Sequence, residues 1–469
     1  MAGSCLVSLS SIVDVVLHVM ADISLWKQAM QKVAPFVVER LDYEPTNLNF
    51  GGSQTIFEVG KSGDLLWRTA LIMNFPGFTG ATGYTAVADA SVNDAGVNGN
   101  GSLSAAQKET LLALPATSVA GRYTRAEAMR PYYAAGAPLQ LIETIEVRIN
   151  QHTFDRHTGL FMDIEYDYSD ASARGLGGNL HKRSTVESLQ DASSHGFRAL
   201  VYLRFWHCLA SQNAYPLVCH GNINFSVQAR FRALSQVIVH PFGLAAFTAA
   251  SGAINTANLQ SSMKDGGVQL LSYQVFLHNA ERSVFWDNAQ DYVFQQCQRV
   301  VEDARVPSGA ATYEHQLNMT GPIRALYWCF TASSMASQAA FDTVTGYSWG
   351  ADESFANFQL LVNGSIYNDP LPAEVYRGGE AEAFGRAMPA SRYYAMMFAL
   401  QYDDFFQTTG SNALSRAETV KVRFGWAGTQ ANSNSPSALA ADAYLQLFAV
   451  NLNVMRVKRG AIGTKLAVL

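Results

Sequence analysis

The stretch LQLIETIEVRINQHTFDRHTGLFMDIE, residues 139–165, decides how the rest of the chain is read. In its first part Ile145, Val147 and Ile149 alternate with Glu146, Arg148 and Asn150, a period of two that marks a half-buried strand. Asn150, Gln151 and His152 then supply turn chemistry. Thr153 to Gly159 forms a second short segment, and the apolar and acidic run Leu160 to Tyr166 reads as the start of a helix.

The flanking sequence continues in short alternating segments. Upstream, Phe36-Val37-Val38-Glu39 is an apolar run, Gly51-Gly52 marks a turn or bulge, and Gln54 to Val59 reads as a second strand. Asp64 to Phe75 is apolar on both faces, as in a buried strand, and stops at Pro76-Gly77. Residues 77–137, rich in Gly, Ala, Ser and Thr around Asn98-Gly99-Asn100-Gly101-Ser102, form a surface insertion, with a helix expected over Ala105 to Leu114. Downstream, Ser184-Thr185-Val186-Glu187 is a capping-box pattern that opens a helix. Ala199 to Trp206 and Asn224 to Val239 read as strands, and a Gly/Ala/Ser/Thr/Asn stretch after Pro241 reads as a linker. Val268 to Leu277 is a further strand, and Asn279 caps a helix expected to carry Phe285, Tyr292, Cys297 and Val300.

Charged residues make up 15% of the 469, well below the usual ~25%. So low a share suggests a surface largely covered by other subunits, because charge is depleted at interface cores. A net charge of −5 argues against direct nucleic-acid binding, which needs a basic stripe. The five cysteines, Cys5, Cys208, Cys219, Cys297 and Cys329, are scattered and odd in number, as expected of free thiols in a reducing compartment. Residues 5–26 are fairly apolar, but Asp14, His18 and Asp22 interrupt them and argue against a membrane span or a signal peptide. Sequons at Asn100, Asn224, Asn318 and Asn363 are candidate N-glycosylation sites, of a number that chance also produces in a polar-rich chain.

No constellation amounts to an active site. Gly60-Lys61-Ser62 resembles the end of a phosphate loop, but Thr55 stands where that loop needs its first glycine, so a strand-connecting turn is expected. The glycines at 96, 99 and 101 and at 175, 177 and 178 lack dinucleotide spacing. His152, Asp155 and His157 lack a fourth metal ligand. Glu143, Glu146, Asp163 and Glu165 offer a carboxylate pair of the glycosidase kind, but are expected on a solvated face. Trp67, Trp206, Trp286, Trp328 and Trp426 are dispersed as core or interface anchors. His181-Lys182-Arg183 reads as the surface of a helix start. The expectation is therefore no catalytic residue, no cofactor and no metal.

Several of these segments resemble the major capsid proteins of nucleocytoplasmic large DNA viruses, of the iridovirus and phycodnavirus kind. Asp155-Arg156-His157-Thr158-Gly159 matches that family's D-x-H-T-G after an amphipathic strand. Glu281-Arg282 with Phe285 matches its E-R-x-x-F, and Gly321 to Trp328 resembles its next strand. Phe358 to Gly364, Arg392 to Leu400 and Ser411 to Arg416 follow in family order. Phe448 to Arg456 resembles its YAVNYNVLRI segment, and Gly460 to Gly463 its closing glycines. The N-terminal Gly pair of the family is missing from Val7-Ser8-Leu9-Ser10.

The resemblance implies an all-β fold: two tandem eight-stranded jelly rolls with short helices and long surface loops. The expected division is an N-terminal arm at 1–35, a first roll at 36–241 with its insertion at 77–137, a linker at 242–262 and a second roll at 263–469. It implies a structural protein and no enzyme: a major capsid protein whose homotrimers form pseudo-hexameric capsomers in an icosahedral shell. The implied partners are neighbouring capsomers, minor capsid proteins and a penton protein, with an inner viral membrane nearby. The implied location is the virion, assembled inside the infected host cell. The alternatives are a carbohydrate-binding or carbohydrate-cleaving β-sandwich protein and a double-jelly-roll scaffold or minor capsid protein.

Overall fold

The fold is that of a computed structural model, which describes residues 35–78, 130–169, 180–182, 185–221, 223–240, 256–264, 266–335, 355–400, 402, 409–426 and 442–464. Nearly all of the expected arm, most of the insertion with Asn100 and the helix expected at 105–114, most of the linker, the glycines at 96–101 and 175–178, and Arg183 lie outside the described residues.

Sixteen principal strands carry the architecture. The first eight are β1 (Phe36–Tyr43), β2 (Gln54–Val59), β3 (Leu65–Pro76), β4 (Ile142–Ile149), β5 (His152–His157), β6 (Gly196–Tyr202), β7 (Phe225–Phe231) and β8 (Val268–Leu277). The second eight are β9 (Gln290–Val306), β10 (Thr312–Leu317), β11 (Ile323–Thr331), β12 (Asn357–Val362), β13 (Ser365–Ile366), β14 (Tyr394–Met397), β15 (Val420–Gly425) and β16 (Ala443–Lys458). Between them lie α1 (Gly159–Tyr168), α2 (Val186–His195), α3 (Thr256–Lys264) and α4 (Asn279–Asp287), with shorter turns such as Glu380–Ala383.

The first eight strands form two sheets of order β1-β8-β3-β6 and β2-β7-β4-β5, and the second eight form β9-β16-β11-β14 and β10-β15-β12-β13. Adding eight to every strand of the first pair of sheets gives the second pair. The pairings are antiparallel throughout. Each unit thus has its first and last strands adjacent and its chain wound between two facing sheets, which is a jelly roll. The expected double roll is present.

The strand β8 corrects the expected division. It was assigned to a second roll beginning at 263, but it pairs in full with β1 on one side and with β3 on the other. The first roll therefore does not end at 241, and the stretch read as an inter-domain linker leads to that roll's last strand. Gln274 locks this arrangement. Its buried Oε1 accepts from the Gly63 N–H at 2.6 Å, and its Nε2 donates to the Gly60 carbonyl at 2.9 Å and to the Tyr43 hydroxyl at 3.0 Å. A Cβ on Gly63 would stand 2.7 Å from the Gln274 Cβ, so glycine is required at that close approach.

The helix beginning at Asn279 is shorter than expected. It is capped by His278, whose Nδ1 accepts from Ala280 N–H at 3.4 Å, and ends at Asp287. Tyr292, Cys297 and Val300 lie instead on β9. Within the capping-box pattern Thr185 caps α2, its Oγ1 accepting from Ser188 N–H at 3.3 Å, and Ser184 lies outside the described residues.

Each roll has an aromatic core. Trp206 packs with Phe154 and Tyr215 in the first, and Trp328 stacks on Phe358 with centroids 4.5 Å apart in the second. The strands β9 and β16 have 17 and 16 residues, about 55 Å of extended chain. That length lets Phe294 at one end of β9, and Met455 and Val457 at the end of β16, pack into the first core while the rest of each strand serves the second. Replacing Gln274 by Leu leaves the Gly63 N–H without its acceptor. The expected cost is about 1–3 kcal/mol, read as a lower urea midpoint at unchanged slope.

Candidate functional site at the seam between the two rolls

The stretch that opened the sequence reading builds the seam. Ile145, Val147 and Ile149 of β4 point into the first core, as their alternation requires. Asn150 and Gln151 both take positive φ, 48° and 70°, and make the two-residue turn into β5. Each residue of the D-x-H-T-G motif then has a task. Asp155 Oδ1 accepts from the backbone N–H of Cys297 on β9 at 2.9 Å, and its Oδ2 lies 2.9 Å from His157 Nε2. The His157 ring stacks on Phe205 with centroids 4.5 Å apart. Thr158 caps α1, its Oγ1 accepting from Phe161 N–H at 3.2 Å. A Cβ on Gly159 would stand 1.9 Å from the Leu139 carbonyl oxygen, so only glycine fits there.

The helix α1 is buried along its whole length. Leu160, Phe161, Ile164 and Tyr168 lie in one cluster with Tyr327 of β11 and Phe448 of β16, on the outer face of the second roll's sheet. Its three carboxylates are buried as well, and such groups persist in an interior only when paired and hydrogen-bonded. Asp163 accepts from the Tyr393 hydroxyl at 2.6 Å and pairs with Lys182. Asp167 accepts from Ser391 N–H at 3.0 Å and lies 3.5 Å from Lys182 Nζ. Glu165 accepts from the Tyr402 hydroxyl at 3.0 Å and from Arg386 Nη2 at 3.4 Å, with Arg204 Nη2 at 3.7 Å. Arg386 in turn donates to the Tyr327 hydroxyl at 2.6 Å and lies over the Tyr402 ring. Tyr327, Arg386, Ser391, Tyr393 and Tyr402 belong to the second roll, so these bonds tie the helix of one roll to the sheet of the other.

Two expectations are corrected here. Asp163 and Glu165 do not sit on a solvated face, nor does Glu146, which is buried under Arg156 at 2.9 Å. Alternation and helix-start position mark a face only; the second roll covers Asp163 and Glu165, and Arg156 of the neighbouring strand covers Glu146. His181 and Lys182 are likewise no open surface: the His181 ring stacks on Phe197 with centroids 3.9 Å apart, and Lys182 joins Asp163 and Asp167.

The remaining candidates are dispersed. His152 is exposed, apart from the buried pair of Asp155 and His157, and no group of three metal-ligating side chains gathers among the described residues. Lys61 donates to the Gly221 carbonyl from the turn between β2 and β3. Trp206, Trp328 and Trp426 are core residues, and Trp286 lies under Arg459. Asn224, Asn318 and Asn363 are exposed, and Asn363 Oδ1 accepts from Thr419 N–H at 3.1 Å. Beside the seam a cleft of about 590 Å³ is lined by Glu143, Arg156, Arg230, Arg299 and Glu302 among others. Sequence reasoning missed Arg204, Arg386, Tyr393 and Tyr402. Three carboxylates at alternate positions of an otherwise apolar helix were the signal that buried partners had to exist.

Burial pushes the Glu165 carboxyl up, but Arg386, Arg204 and the Tyr402 hydroxyl outweigh it and hold its pKa below the ordinary value. Burial raises Asp163 despite Lys182. The signs oppose. A depressed folded pKa gives Glu165 stability that is complete above its unfolded value of about 4.3 and lost as pH falls through the folded value. A raised folded pKa makes acidification through the Asp163 window favour the folded state. Glu165→Gln leaves the buried Arg386 and the half-buried Arg204 without their anion, at an expected cost of about 3–5 kcal/mol. In thermal unfolding the gap to the parent is expected to persist at about pH 5 and to narrow only below about pH 4.

Residues 281–463 match the family model described as large eukaryotic DNA virus major capsid protein. No curated protein sequence matches the chain. Among solved structures, PBCV-1 VP54, fitted into a reconstruction of the virophage Sputnik, is similar with a TM-score of 0.64 and 15% identity, covering 95% of this chain and 100% of that one. The Faustovirus major capsid protein follows at 0.58 and 11%, covering 96% and 94%. The Sputnik virophage structure gives 0.55 and 10%, covering 95% and 92%. The solved structures share the double-roll fold along nearly the whole chain, and the match to the major capsid protein family of large eukaryotic DNA viruses lies in its second half.

Proposed function

We propose that the chain works as a homotrimer whose six rolls form a pseudo-hexagonal capsomer of an icosahedral shell. The observation that carries this reading is the strand order that repeats with an offset of eight. Two like units in one chain, taken three times about an axis, give six near-equivalent edges, and such an object tiles a hexagonal lattice. In this reading the units are a first roll at 36–277 and a second at 290–464, with residues 1–35 as an arm. The partners are neighbouring capsomers, minor capsid proteins and a penton protein, close to an inner membrane. Nucleic acid is not contacted directly, in keeping with the net charge of −5.

The same reading assigns no catalysis. Of Glu143, Glu146, Asp163 and Glu165, the last three are held in ion pairs and hydrogen bonds. They act as ties between elements. Light scattering on the purified chain tests the proposal: a species of three times the 51.0 kDa chain, hexagonal in negative stain, is expected. A well-behaved monomer at capsid-like concentration would remove the trimer.

A further inference from the structure

Inside one chain the contact between rolls has a definite polarity. The edge strand β5 of the first roll lies against the edge strand β9 of the second. Gln296 Nε2 on β9 donates to the Phe154 carbonyl, and Cys297 N–H donates to Asp155, both acceptors on β5. In the repeated order β5 is the fifth strand of its roll and β9 the first, so a fifth strand meets a first strand.

The two strands left over in this scheme are β13, the fifth of the second roll, and β1, the first of the first roll. Both are sheet edges. Both carry apolar side chains open to solvent: Ile366 at 58% and the adjoining Tyr367 at 51%, and Phe36 at 54%, Val37 at 58% and Val38 at 40%. Exposed apolar edges of this kind invite pairing or association, and natural proteins keep them covered. Exposed carboxylates follow β13, at Asp369 and Glu374. Arg40 of β1 and Arg68 of β3 flank Tyr273 on the face that β1 borders.

We infer that the seam within one chain is the template for the contact between chains: the β13 edge, with Ile366, Tyr367 and Leu371, docks on the β1 edge, with Phe36, Val37 and Val38, of a second copy. The contact is head-to-tail, so each copy uses both edges once. Repeated, it closes when each roll-to-roll step turns about 60°, which three double-rolled chains supply. This inference rests on the trimer proposed above and names the surfaces that make it.

The test uses two single variants of the full chain, Val37→Glu and Ile366→Glu, each at a side chain more than half exposed, with thermal unfolding as the control for intact rolls. Each variant alone is expected to lose the trimer and run at 51.0 kDa. Mixed one to one, they are expected to form a species of twice that mass, because the intact β13 edge of one meets the intact β1 edge of the other. Trimeric variants beside a trimeric parent would overturn the assigned edges and leave the trimer standing. A dimer of either variant alone would overturn the head-to-tail polarity. A monomeric parent would overturn the trimer and this contact together.

Discussion

A helix that carries three carboxylates and is buried on every side fixes the geometry of the molecule. Apolar contact between two rolls is tolerant of sliding, since its energy follows area and not direction. Hydrogen bonds to buried carboxylates are directional and expensive to leave unmade. The bonds from Tyr402 and Arg386 to Glu165, from Tyr393 to Asp163 and from Ser391 to Asp167 all reach from the second roll to α1 of the first. They hold together only in one relative orientation, and the proposed capsomer requires that orientation to stay constant from copy to copy.

The shared strands reinforce the same constraint by another route. The ribbon of β9 and β16 is long enough to place Phe294, Met455 and Val457 in the first core and Leu445 and Leu447 in the second. Neither roll can rotate against the other without withdrawing large side chains from a close-packed interior. Asp155 adds a third tie, binding the β9 backbone from β5. The D-x-H-T-G motif is thus a joint: an anchor to the second roll, a stacked imidazole, a helix cap and a glycine where a side chain would strike the Leu139 carbonyl.

The repeated strand order makes the joint more than internal. Of the edge strands, β5 and β9 meet inside the chain, while β1 and β13 carry apolar side chains open to solvent. In the proposed shell role, with few charges to spend, such edges are the working surface, as an active-site cleft is for an enzyme. The low charge content, the buried ion pairs and the open edges fit one reading, in which polar groups fix shape and the proposed assembly uses the apolar edges.

What the sequence by itself determined was local. The alternation in β4, the Asn150-Gln151 turn, the Thr158 cap and the strand character of Val268–Leu277 follow from periods of two, positive φ and side-chain capping, each set within a few residues. Resemblance added the double roll and its family. Only the tertiary structure decided which strand pairs with which. It set β8 between β1 and β3, more than 190 residues away along the chain, because alternation specifies a face and is silent about the neighbour. It also turned the expected solvated face of Glu146, Asp163 and Glu165 inward. A carboxylate on a helix looks the same in sequence whether water or Arg386 solvates it, and the guanidinium that decides the matter lies 221 residues further on.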